Sequence, residues 1–185
     1  MKILEIQKVD LASFCYLDSK RYPFLLESVN HNDINRYSIL FAFPGESIIL
    51  KNFSDFDFLN ELKNQFKPNN LNSDLPFVGG WFVYLSYELI GQIEPSLSCE
   101  VYRSNLPIAY AVKIPSAIII DHQLDKTYLI DQDDNEDRIN LILSDIKLTK
   151  PIPKKDIEGK LSEENHEKFT DGVKACLDYI VCFSG

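Results

Sequence analysis

Long apolar runs are missing from this chain, and no stretch reaches the roughly 18 residues that a bilayer-crossing helix needs. The opening Met1-Lys2-Ile3-Leu4-Glu5-Ile6-Gln7-Lys8 mixes charge into its apolar positions. A signal peptide has a continuous apolar core there, so export is not expected and a cytoplasmic location is. Cysteine is sparse and scattered: Cys15, Cys99, Cys176 and Cys182 form no CxxC pair, and His31, His122 and His166 lie far from them. Zinc needs ligands at converging spacings, so no metal site is assigned and reduced thiols are expected. Basic clusters are also lacking. The formal net charge is −9, and Lys154-Lys155 is too short to follow a phosphate backbone, which argues against nucleic acid. No Walker-type glycine loop, H-E-x-x-H or nucleophile elbow occurs, so no catalytic residue is assigned. Asp131 to Asp137 superficially resembles a calcium loop but lacks its central glycine and its glutamate at position twelve. A solvated acidic turn is the better reading.

What is present is a composition of 45% hydrophobic and 25% charged residues over 185 positions, that of a soluble globular protein able to bury a core. Ile39–Phe43, closed by Pro44-Gly45 and followed by Ile48–Leu50, reads as a hairpin of two buried strands. Ser54 can cap a helix beginning at Asp55, with Phe56, Leu59, Leu62 and Phe66 on one face and Pro68 as its stop. A strand is expected in the aromatic run after Gly79-Gly80, a pair that permits a bend or a close backbone approach. Trp81, Tyr84 and Tyr87 read as core residues. Ile108–Val112 forms another strand, and Ala117–Ile120 with Thr127–Ile130 form a hairpin around Asp121–Lys126. Ile139, Ile142, Leu143 and Ile146 mark a short helix. The proline-bearing stretch Leu148 to Lys155 has linker composition. A last helix is expected from Ser162, with Phe169, Val173, Cys176, Leu177 and Ile180 along one face.

Three segments carry a resemblance to one family. Pro23-Phe24-Leu25-Leu26-Glu27-Ser28 followed by Arg36-Tyr37-Ser38-Ile39-Leu40 resembles the opening of the large components of anthranilate synthase and aminodeoxychorismate synthase. Leu75-Pro76-Phe77-Val78-Gly79-Gly80-Trp81-Phe82-Val83-Tyr84-Leu85-Ser86-Tyr87-Glu88, with Ile93-Glu94-Pro95 beyond it, is similar to their glycine-pair block. Glu164 to Ile180 resembles the helix that opens their chorismate-binding domain. Leu75-Pro76-Phe77 and Ile118-Ile119-Ile120-Asp121-His122-Gln123 resemble the folate-branch enzyme, aminodeoxychorismate synthase component I, more than the tryptophan-branch one. Two departures stand out. Val83 occupies a position where the family usually has glycine, and Val181-Cys182-Phe183-Ser184-Gly185 replaces the family's continuation of the last helix.

The resemblance implies an α+β fold of mainly antiparallel sheets with packed helices, the N-terminal part of an anthranilate synthase component I-type αββα sandwich. It implies a domain over 1–147, a linker over 148–160 and a truncated start of the chorismate-binding domain over 161–185. In the complete enzyme it implies conversion of chorismate and ammonia to 4-amino-4-deoxychorismate, with magnesium and a glutamine amidotransferase component as partner. The segment itself carries no catalytic residue and no cofactor by this reading, and is expected to be inactive alone. An anthranilate synthase component I fragment and a stand-alone tryptophan-binding module are the alternatives. Ser28, Arg36 and Tyr37 align with a pocket that holds tryptophan in related large components. Without the resemblance, Ser28 closes a turn or satisfies a backbone group, and Arg36 and Tyr37 are ordinary pairing and packing. Glu94 is a candidate partner for Arg36 or another cation, and Cys176 is expected to be packed on the last helix.

Overall fold

The computed structural model describes residues 1–28, 35–66, 73–94, 96–97, 106–152, 159–160, 162–163 and 165–183. The expected helix stop at Pro68, and Pro95, Pro153 and Glu164, lie outside the described residues. Two compact units are present, Met1–Ile152 and Pro153–Gly185.

The first unit is built on two antiparallel sheets. In the five-stranded sheet the order is β1 (Lys2–Ile6), β8 (Lys126–Asp131), β7 (Ser116–Asp121), β3 (Tyr37–Ala42) and β2 (Phe24–Leu26). The three-stranded sheet runs β4 (Ser47–Leu50), β6 (Ala109–Ile114) and β5 (Gly80–Leu85). Strand β7 is buried at every position, which is why its sequence is a continuous apolar run rather than an alternating one. It pairs with β8 from Ser116–Asp131 to Asp121–Lys126, the expected hairpin.

Side-chain alternation then sorts residues into layers. On one face of the larger sheet, Leu40, Ile118, Ile120 and Leu129 pack against Leu11 and Phe14 of α1 (Leu11–Leu17) and Ile139 and Ile142 of α4 (Glu136–Leu148). On its other face, Ile39 and Phe41 meet Val112, Ile114 and Phe82 of the smaller sheet. The far side of the smaller sheet, with Ile48, Leu50, Ala109 and Ala111, packs against Phe58 of α2 (Phe58–Gln65) and against Leu89. Leu89 ends a 3₁₀ turn, Tyr87–Leu89, that continues into the one-turn helix α3 (Ile90–Ile93). Helix, sheet, sheet, helix: the α+β expectation holds, and the unit has the four layers of an αββα sandwich.

Several local expectations are corrected. Strands β3 and β4 do not pair as a hairpin; they belong to different sheets. Phe43 takes a positive φ of 58°, its N–H donates to Arg21 O, and Gly45 N–H already donates to Lys113 O of β6. Pro44 has no N–H to offer, so the chain crosses between layers instead of folding back. Helix α2 starts three residues later than expected because Asp57, not Ser54, supplies the cap, accepting from Asn60 N–H at 3.0 Å. Its buried anchor is Phe58, while Leu59 and Phe66 are exposed. Strand β1 and helix α1 have no counterpart in the sequence reading. The charge mixing of Lys2 to Ile6 is the alternation of an edge strand, whose Glu5 binds Lys126 of β8. Trp81 is half-buried, but Tyr84 is exposed and Tyr87 is 83% exposed, so neither is a core residue.

In the second unit, α5 (His166–Phe183) starts four residues later than expected, where Asn165 Oδ1 accepts from Glu167 N–H. Phe169, Val173, Leu177 and Ile180 are exposed, and so is Cys176, which is not packed as expected. No helix among the described residues is long and apolar enough to cross a membrane.

Candidate functional site

Strands β2 and β3 lie side by side, and their register places Leu26 opposite Ile39. Ser28 follows β2 and Arg36 precedes β3, so the paired strands bring Ser28, Arg36 and Tyr37 to one end of the larger sheet. Ser28 N–H donates to Ser38 Oγ at 3.0 Å, and Ser28 Oγ–H donates to Tyr37 O at 2.7 Å. This hydroxyl therefore does satisfy a backbone carbonyl. With its hydrogen committed there, the oxygen's lone pairs remain acceptors, which suits a donor such as an ammonium group.

Arg36 is held by Asp121. Its Nε lies 3.0 Å from each carboxylate oxygen, and a terminal nitrogen adds a third contact to Oδ2. The guanidinium carbon also stands 4.8 Å from the Tyr37 ring centroid, a cation–π distance. Glu94, a candidate partner of Arg36 or another cation, accepts from Ser96 Oγ. Asp121 in turn accepts from the N–H groups of Gln123 and Leu124, closing the β7–β8 turn. The hydrogen bond from Arg36 holds the Asp121 carboxyl below the usual carboxylate range, against a burial effect of opposite sign. The same bond raises the Arg36 pKa. Burial raises the Tyr37 phenol, with the Arg36 charge opposing it.

Sequence reasoning passes over three members of this cluster: Asp121, Ser38 and His122. Ser38 Oγ and His122 Nε2 are 2.8 Å apart, and Ser38 is 2% exposed. The available signal is the polar pair Asp121-His122 directly after the apolar run of β7, a place where a strand end delivers side chains to a sheet margin.

Apart from this cluster, a cavity of about 690 Å³ opens where the Leu75–Gly80 segment crosses Trp81, Lys113 and Gln132. None of Ser28, Arg36 and Tyr37 lines it. Gln132 Oε1 is buried with no hydrogen-bond partner among the described residues. A Cβ on Gly79 would lie 2.3 Å from that oxygen, so of the glycine pair it is Gly79 that serves close approach, while a Cβ on Gly80 would meet only an ordinary contact at 3.8 Å. The acidic turn is only partly solvated. Asp131 is buried and binds Ser116 Oγ, Arg138 and the N–H groups of Asp133 and Asn135, leaving Asp133 at the surface. Among the described residues no group of three or more His, Cys, Asp or Glu could hold a metal ion.

The architecture places the first unit among four-layer αββα sandwiches with antiparallel sheets. A solved structure of this kind that the chain resembles is anthranilate synthase component I from Streptococcus pneumoniae TIGR4, with a TM-score of 0.56 and 22% sequence identity. The match covers 79% of this chain and 38% of that one, so the chain spans well under half of the neighbour's length. No family model matches the sequence, and no curated protein does.

Proposed function

We propose that the chain is the N-terminal, non-catalytic portion of a chorismate-utilising synthase of the aminodeoxychorismate synthase component I type. The observation that carries this reading is the αββα layering shared with a component I structure, in a chain that also bears the family-like segments at Phe24–Ser28, Arg36–Leu40 and Leu75–Glu88. In the complete enzyme, chorismate and ammonia give 4-amino-4-deoxychorismate, and a glutamine amidotransferase component supplies the ammonia. Magnesium is assigned to the chorismate-binding portion of that enzyme. The present region then acts as scaffold. Ser28, Arg36 and Tyr37 form a pocket for the ammonium and ring of a tryptophan-like amino acid, with Ser28 Oγ as acceptor and the Tyr37 ring as wall.

A second reading, the tryptophan branch, is favoured by the neighbour's being an anthranilate synthase component I. The product that the complete enzyme makes from chorismate and ammonia separates the two: 4-amino-4-deoxychorismate for the first, anthranilate for the second. For the chain itself, calorimetry with tryptophan is expected to show saturable 1:1 binding that Ser28→Ala weakens. An absence of heat at millimolar tryptophan overturns the pocket assignment. With chorismate, ammonia and magnesium the chain is expected to yield no product. Turnover above a protein-free control refutes the assignment of catalysis to another portion.

A further inference from the structure

A second cavity, of about 620 Å³, lies where Phe24 of the larger sheet meets Phe82, Tyr84 and Tyr110 of the smaller one. It is within the size range of small-molecule pockets. Strand register sets most of its walls, and Leu106 and Pro107 come from the segment that leads into β6. Tyr110 pairs with both Ile49 and Tyr84, which puts these three side chains in one row on one face of the smaller sheet. Phe24 and Phe82 stack at 4.1 Å with their planes 5° apart, and Tyr110 lies 6.1 Å from Phe24 at a tilt. Yet the row is left open: Ile49 is 42% exposed and Tyr84 37%. A row of large apolar side chains facing solvent across two packed sheets is a surface that gains by being covered.

The one charged group of this cleft selects a ligand of opposite sign, and its two phenols can donate to it. Lys51, immediately after β4, is the one charged residue among the described lining residues, and no ion pair engages it among the described residues. The Tyr84 and Tyr110 hydroxyls have no hydrogen-bond partner among the described residues. Burial raises the Tyr110 phenol further above its ordinary range, keeping it a donor at neutral pH. One ammonium and two phenol donors around flat apolar walls match a planar ring bearing a single carboxylate. A neutral ring forgoes the ion pair, and a cationic one is repelled by Lys51.

We infer that this cleft is a binding site for a small aromatic monocarboxylate, distinct from the Ser28 pocket. The inference does not rest on the chorismate-synthase reading. Calorimetric titration of the 185-residue chain with 1-naphthoate tests it, with 1-naphthalenemethanol as the uncharged counterpart. Binding of naphthoate at 1:1 is expected, with Lys51→Gln weakening it about fivefold, the size of a partly exposed ion pair. The same substitution should change naphthalenemethanol binding by less than about twofold. Tyr84→Ala should weaken both by about tenfold, since it removes a wall. Ser28→Ala and Lys113→Gln, outside the cleft, should leave naphthoate binding unchanged. Thermal melts of each variant show whether the fold is retained. No naphthoate binding, equal loss of both probes in Lys51→Gln, or binding that survives Tyr84→Ala overturns the assignment. Loss in Ser28→Ala would move the site to the other pocket and overturn it equally.

Discussion

The phenol of Tyr22 donates to Oδ2 of Asp145 at 2.6 Å, joining residues 123 positions apart beneath the α1–α4 layer. Tyr22 is fully buried and Asp145 is 4% exposed, and Arg21 binds the same carboxylate oxygen from the rim. Burial, then the Asp145 hydrogen bond, pushes the Tyr22 phenol well above its ordinary range, so it stays a donor. Tyr22→Phe removes one donor but leaves Arg21 in place, and should destabilise by about 1–2 kcal/mol. Asp145→Ala leaves the buried phenol without its acceptor and Arg21 with Asp18 alone, and should cost more than Tyr22→Phe, about 2–3 kcal/mol. Urea unfolding at pH 7 measures both. Equal losses in the two variants would show that Arg21 contributes nothing to the network.

Gly79 cannot be replaced cheaply. Its φ is +111°, and a Cβ would meet Gln132 Oε1 at 2.3 Å and Gln132 Cβ at 2.6 Å. Gly79→Ala therefore combines left-handed strain with overpacking and should destabilise by about 3 kcal/mol. Adding Gln132→Gly removes the clash and should recover part of the loss, while the φ strain persists. Gly172 in α5 is the contrast, with nothing within 4 Å of where an added methyl group would stand. Gly172→Ala should be neutral or raise helix content, being worth up to about 1 kcal/mol in propensity. Circular dichroism melts of the three variants check the ordering.

The β7–β8 hairpin and helix α4 are legible in the sequence because each is a local pattern: an apolar run beside its turn, or isoleucines at helical spacing behind Asn135. The false β3–β4 hairpin has the same origin. Two apolar runs around Pro44-Gly45 look like a hairpin locally, and only the pairing of β3 with β7 and β4 with β6 reveals a crossover between sheets. Helix α1 escapes sequence reasoning because its buried side, Leu11, Ser13 and Phe14, includes a serine and spans only seven residues. At the candidate site, Ser28, Arg36 and Tyr37 can be singled out through family-like segments. Asp121 and His122 cannot be joined to them in the same way, since the Arg36–Asp121 contact bridges 85 residues and depends on the β3–β7 register.

Acid should unfold the first unit partly through Asp131. Burial alone would raise its carboxyl, but hydrogen bonds from Arg138, Asn135 N–H and Ser116 Oγ outweigh this and hold it at about 2. A carboxyl depressed in the folded state contributes stability that is fully present above its unfolded value near 3.8 and is lost as pH falls through about 2. The difference corresponds to about 2 kcal/mol. Asp131→Asn should flatten the stability profile between about pH 4 and about pH 2 relative to the parent, while lowering stability at pH 7. Urea midpoints measured across that interval test this. An unchanged acid limb would show that other carboxylates set it.

Arg36 and Asp121 offer a way to separate the ion pair from the turn that shares its carboxylate. Asp121→Asn keeps an oxygen able to accept from Gln123 and Leu124 N–H but loses the charge that Arg36 binds. Asp121→Ala loses both functions and should lower the melting temperature about twice as far. Arg36→Lys retains a cation but not the fork that reaches both carboxylate oxygens, nor the flat face against Tyr37, so it should resemble Asp121→Asn rather than the parent. Because Ser28 is tied to Tyr37 O and Ser38 Oγ rather than to Arg36, all three variants should leave the Ser28 hydrogen bonds in place. Amide hydrogen exchange at Ser28 reads this directly. Protection retained in Asp121→Asn but lost in Ser38→Ala would establish that the Ser38 hydroxyl, and not the ion pair, positions Ser28.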